Sequence, residues 1–242
     1  MNAFGNEKEW KLLYKISAFC VFIAFFVMLA EIFITALPDG ARVQLSAKEL
    51  LEMYNRNWFM GMRYMGLMNI FATTLMIPVF LSFFTIHRKS NTVFSCFSLV
   101  LCLLGYAIFT SDNVSFSILN LSSKYLMTNI ESEKTMIISA TQALFAKGAS
   151  HTPGTFPGFL LSEIGTILFC VLMILGRKFK KKTGIIGIIA FTFLLIFEIV
   201  SSFIYSFYNQ ALIFAMIGGF SAITWYILVG FELLRFAKLE AK

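Results

Sequence analysis

Six stretches of this chain stay apolar for about 18–25 residues each, and that length fixes what it can fold into. At about 1.5 Å of rise per residue, each is long enough as a helix to cross a hydrocarbon layer roughly 30 Å thick. The runs cover about residues 16–37, 64–86, 93–111, 159–176, 184–208 and 211–236. Only 14% of the residues are charged and 58% are hydrophobic, more apolar surface than a water-soluble domain of 242 residues can hide. The expected fold is an all-α polytopic membrane bundle, a single domain over residues 1–242 with six spans.

Two longer connections separate the spans, over residues 38–63 and 112–158. In the first, Ser46-Ala47-Lys48-Glu49 has the form of a capping box, and Leu50, Leu51 and Tyr54 follow at helical spacing. In the second, Thr128-Asn129-Ile130-Glu131 gives another capping signature. Met136, Ile137, Ala140, Ala143 and Leu144 then share one predicted face, ended by Lys147-Gly148. Both segments predict amphipathic helices at the outer membrane surface. Pro78 lies inside the second span and predicts a kink. Pro38 and Asp39-Gly40 predict the end of the first span, which reads as retained rather than as a cleaved signal. The four cysteines, Cys20, Cys96, Cys102 and Cys170, all lie in apolar runs without CxxC spacing and read as small packing residues.

Orientation follows from the basic residues. Thirteen of the 20 fall on the side of the N-terminus, the second and fourth connections and the C-terminus, with a dense run at Arg177-Lys178-Phe179-Lys180-Lys181-Lys182. Seven (Arg42, Lys48, Arg56, Arg63, Lys124, Lys134 and Lys147) fall on the other. The imbalance predicts both termini in the cytoplasm. It marks the basic run as a topology anchor against anionic headgroups, not a nucleic-acid site. Trp10, Trp58 and Tyr64 stand where interfacial anchors are expected.

The charges inside the runs carry the functional content, because each costs a few kcal/mol in hydrocarbon and needs a partner or a watery cavity. Glu31, Glu163 and Glu198 fall in the outer half of their spans, with Arg63 and Asn69 near the start of the second, Asp112 at the end of the third and His151 just before the fourth. Glu232 alone lies near the inner end, where it can pair with Arg235 at i,i+3. This clustering predicts a polar cavity open to the outer side, in which Arg63 neutralises one acid while another is left to hold a cation or a small polar molecule. The bland alternative is a non-catalytic membrane interaction or sensor protein, in which these groups are interhelical pins that only hold the bundle together. A third reading is a membrane-embedded hydrolase at the outer leaflet, centred on His151 and Glu163, with Glu31 as a further ligand in a mixed metal site. Neither HExxH nor GxSxG is present, and the two histidines fall on opposite sides. The reading therefore includes no cofactor or resident metal. Its expected partners are membrane lipids and a small polar molecule or cation.

The stretch His151-Thr152-Pro153-Gly154-Thr155-Phe156-Pro157-Gly158 is dense in turn residues. It predicts either a rigid lead-in to the fourth span or a lid that carries His151 to Glu163. Gly218 and Ala222 form a small-xxx-small pair and predict close helix packing. Several of these features together are similar to a widespread bacterial family of multi-pass membrane proteins known only as a domain of unknown function. They are the basic N-terminal stretch before the first span, the outer surface helix, Asn57-Trp58 to Asn69, Ser162-Glu163-Ile164-Gly165 after the Pro/Gly loop, and the basic turn before the fifth span. The resemblance covers roughly residues 10–205 and implies a bacterial cytoplasmic (inner) membrane protein. It implies no activity and no catalytic residue.

Overall fold

The computed structural model describes residues 7–35, 45–149 and 151–239. The predicted turn at Pro38 to Gly40, and Arg42 and Lys242, lie outside them. Among the described residues the chain is all α-helical, with α1 (Glu7–Thr35), α2 (Ala47–Arg56), α3 (Trp58–Tyr64), α4 (Leu67–His87), α5 (Thr92–Asp112), α6 (Ser115–Met127), α7 (Glu131–Gly148), α8 (Phe156–Leu175), α9 (Lys181–Phe203) and α10 (Tyr208–Lys238). Six segments are long and apolar enough to span a membrane, in α1, α4, α5, α8, α9 and α10, the third of them, Thr92–Met127, running on from α5 through α6.

These six form a closed ring. Helix α1 packs on α4 and α10, α4 on α5, α5 on α8, α8 on α9, and α9 on α10. Small residues set the closest seams. A methyl group added at Gly105 of α5 would lie 2.5 Å from the backbone nitrogen of Ser162 on α8, so the two backbones meet only because that side chain is missing. Gly218 of α10 does the same against Ala190 and Leu194 of α9. The predicted close packing there is thus spent inside the ring. Polar pins add to these seams: Ser17 donates to the Pro78 carbonyl (2.7 Å) and pairs with Ser82 (2.8 Å), tying α1 to the proline-bearing α4.

Helices α2, α3, α6 and α7 form a cap at one end of the ring, built around Leu50, Leu51, Tyr54, Met62, Met65 and Ile118. The capping box on α2 is present, with the Glu49 amide donating to Ser46 Oγ and the Ser46 amide to Glu49 Oε2. Buried hydrogen bonds lock the cap: Tyr54 donates to the Ser115 carbonyl (3.1 Å), Asn113 to Met65 (2.7 Å) and Ser122 to Leu51 (3.1 Å).

The structure corrects several sequence expectations. Residues 58–64 form the separate helix α3, and Gly66, at φ 89°, turns the chain into α4, so the second span starts at Leu67 rather than Tyr64, and Arg63, expected in the connection just before it, belongs to the cap. Residues 115–127 form α6, which the sequence reading left in a connection. On α7, Ile137 and Leu144 face the cap core, whereas Met136, Ala140 and Ala143 are exposed. Thr128 bonds Glu133 rather than Glu131. Helix α9 ends at Phe203 and a 3-10 turn, Tyr205–Phe207, precedes α10, so the last connection comes earlier than expected. Helix α4 continues past Pro78 to His87.

Candidate functional site

Toward the basic end, the ring is filled by aromatic side chains, with Phe80, Phe83, Phe169, Phe179 and Trp225 in mutual contact. The basic connection takes part in this packing, because Phe179 turns inward from among the lysines. Glu232 clamps that connection, pairing with Arg235 (2.7 Å) as its spacing predicts and accepting from the Lys180 amide (3.3 Å).

Toward the capped end, the aromatic filling gives way to a cavity of about 280 Å³. All six ring helices contribute to its wall: Glu31 from α1, Asn69 and Thr73 from α4, Tyr106 from α5, Glu163 and Thr166 from α8, Glu198 from α9 and Tyr226 from α10. His151 reaches it from the connection before α8. Five of the seven residues singled out from the sequence, Glu31, Asn69, His151, Glu163 and Glu198, therefore line one space. The mechanism of convergence is simple. Each acid lies in the cap-proximal half of an antiparallel helix, and closing the ring turns each toward the centre, where lipid does not reach.

The three acids have different surroundings. Glu31 accepts a hydrogen bond from Arg63 Nε at 2.9 Å, and Arg63 also bonds Thr35. Arg63 itself does not line the cavity; it ties α3 of the cap to α1 and neutralises Glu31 from behind. Glu198 is paired with His151, Nδ1 to Oε1, at 2.7 Å. Glu163 is 7% exposed, and its Oε2 has no hydrogen-bond partner among the described residues. A lid carrying His151 to Glu163 is thus corrected: the imidazole goes to Glu198 on the neighbouring helix. Asp112 stands apart, at the end of α5, pairing with Lys147 of α7 at 3.6 Å and holding the cap.

His151 is held in a left-handed backbone conformation, φ 61°, which costs a non-glycine residue of the order of 1 kcal/mol or more. The surrounding turn imposes it. Thr152 and Thr155 both donate to the Ala149 carbonyl (2.7 and 3.0 Å). Gly154 sits so close to the Lys147 carbonyl that no Cβ fits. The imidazole stacks on Phe159 and meets the edge of Phe197, with centroids at 5.7 and 4.8 Å. Burial works against a charge on this ring, but the Glu198 carboxylate, through its charge and its hydrogen bond, outweighs burial and holds the imidazole above its ordinary value.

Tyr106, Tyr226, Thr73 and Thr166 were not singled out from the sequence. Two tyrosines inside apolar spans were the available signal, since a phenol at that depth needs a polar neighbour. Among the described residues no three His, Cys, Asp or Glu side chains converge as a metal-ligand set, which corrects the mixed site of His151, Glu163 and Glu31. No family model, curated protein or solved structure matches the chain.

Proposed function

We propose that this integral membrane protein captures a small cationic molecule in the cavity beneath its cap, as a transporter-like or ligand-binding protein of a bacterial inner membrane with both termini in the cytoplasm. One observation carries the reading: Glu163 presents a buried carboxyl group, with an unpartnered oxygen, to a cavity walled by all six spanning helices. An uncompensated carboxylate in such a place costs several kcal/mol, a cost that an arriving cation removes. Glu31 faces Arg63 and Glu198 faces His151, although Glu198 Oε2 also lacks a hydrogen-bond partner, so among the described residues Glu163 is the cavity acid with no positive charge beside it.

The rival is a purely structural role, in which the polar groups hold helices. The Arg63–Glu31 pair fits that role; Glu163, whose Oε2 has no hydrogen-bond partner among the described residues, does not. The test uses purified protein in lipid nanodiscs, with Na⁺, K⁺ and ethylammonium as probes. Saturable stabilisation by at least one probe is expected, weakened tenfold or more in Glu163→Gln while the variant stays folded. Indifference of the wild-type protein to all three, or equal response of the variant, refutes the reading.

A further inference from the structure

A second hollow lies on the outside of the ring, in the seam between α4 and α5. It is a groove of about 450 Å³ bounded by Thr73, Thr74, Ile77 on α4 and Leu103, Tyr106, Ala107, Thr110 and Ser111 on α5. Helices α4 and α5 touch over less of their length than any other neighbours in the ring, and the groove occupies the gap. Thr73 and Tyr106 are common to both hollows: each forms part of the cavity wall and part of the groove wall. At these two side chains the acid-lined cavity and the outer groove share a wall.

The groove has a direction. Thr110 and Ser111 lie at the cap end of α5, and Leu103 lies eight residues deeper, so the groove follows the helix for about 12 Å into the apolar belt. Exposed Phe71, Ile77, Val100 and Leu104 flank it, as expected of a surface against acyl chains. Inside the cavity, the rings of Tyr106 on α5, Phe159 on α8, Phe197 on α9 and Tyr226 on α10 line the space that Glu163 also lines. Aromatic faces beside a carboxylate favour an organic ammonium over a bare metal cation, because the rings attract the charge without supplying the oxygen ligands that a metal ion needs.

From these facts we infer that the ligand is a single-chain amphiphilic amine, whose ammonium group sits at Glu163 and whose alkyl tail leaves between α4 and α5 into the lipid. This rests on the cavity reading above and adds the ligand class and its route. The cavity, at about 280 Å³, takes the headgroup; the groove takes the tail. The molecule arrives sideways from the bilayer, and the cap, pinned by Asn113, Ser115 and Tyr54, need not open.

The experiment is native mass spectrometry from detergent micelles, titrating dodecylamine, ethylamine, dodecanol and dodecanoate. Dodecylamine is expected to bind one per chain, at least tenfold tighter than ethylamine, with dodecanol and dodecanoate at background. In Glu163→Gln the amine preference disappears. In Ala107→Trp, which fills the groove from the lipid side, the ratio of dodecylamine to ethylamine affinity falls to about one. If ethylamine binds as tightly as dodecylamine, or if the ratio survives Ala107→Trp, the lateral route is refuted while the cavity reading stands. If Glu163→Gln changes no amine's binding, both fall. Equal binding of all three twelve-carbon compounds marks a nonspecific tail site and overturns the inference.

Discussion

The two ends of the six-helix ring use the same backbone scaffold to opposite effect. Near the basic connections, Phe80, Phe83, Phe169, Phe179 and Trp225 interlock across the interior. Two or three turns away, toward the cap, the same ring presents Glu31 from α1, Glu163 from α8 and Glu198 from α9, and surrounds an open space. The difference lies in what each kind of side chain can do at close quarters. Aromatic rings gain dispersion energy by filling a ring's interior. Carboxyl groups need oxygen-seeking partners and repel one another, so closing on them without a cation or a donor is costly. A ring packed at one end and hollow at the other holds its shape while leaving a polar site unfilled, which suits a binding protein.

The comparison breaks most directly at Phe83. If the basic end carries the stability, Phe83→Ala should cost about 3–5 kcal/mol, the range for a fully buried aromatic, measured by reversible unfolding in bicelles. A cost below about 1 kcal/mol would show that the aromatic end is not the anchor. Arg63→Ala comes next. It strips Glu31 of its counter-charge, but Glu31 is 30% exposed, so the expected loss is about 2 kcal/mol rather than the full cost of a buried pair. The double change Arg63→Met with Glu31→Gln should recover most of that loss; if it does not, the pair does more than neutralise charge.

The smallest effects are expected at His151. Its ring is held above the ordinary imidazole value, so the His151–Glu198 pair contributes its full stability below pH 6.5. That contribution is lost as pH rises through the raised value of the folded state. The other titratable groups facing the same space are Glu163 on α8, Glu31 on α1, Tyr106 on α5 and Tyr226 on α10. Thermal melting of the wild-type protein should fall by the equivalent of about 1 kcal/mol or less across that window, with no such slope in His151→Gln. His151→Gly, compared with His151→Ala at one pH, isolates the backbone. Glycine should be the more stable of the two by about 1 kcal/mol, because it adopts φ 61° without strain. Equal melting temperatures would mean that the turn relaxes when the imidazole is removed.

Much of the architecture was legible without coordinates. Apolar runs of bilayer length gave six spanning helices, and the Ser46–Glu49 box gave the start of α2, because both signals are local. Local signals also misled. The run from Tyr64 looked continuous, yet Gly66 breaks it, because a left-handed turn can interrupt an apolar stretch without altering its hydropathy. The inward face of α7 came out rotated because alanines at helical spacing carry too little apolar area to decide which side is buried.

Sequence by itself determined that the chain has six membrane-length helices and that three acids inside them, Glu31, Glu163 and Glu198, lie toward one end. Helix length and depth along a helix are properties of order along the chain. Only the tertiary structure decided that Glu31, Asn69, His151, Glu163 and Glu198 share a cavity, that His151 turns to Glu198, and that Asp112 belongs to the cap. Which way a side chain faces depends on which helices become neighbours. That is set by close seams such as Gly105 against Ser162, made between residues distant in the chain.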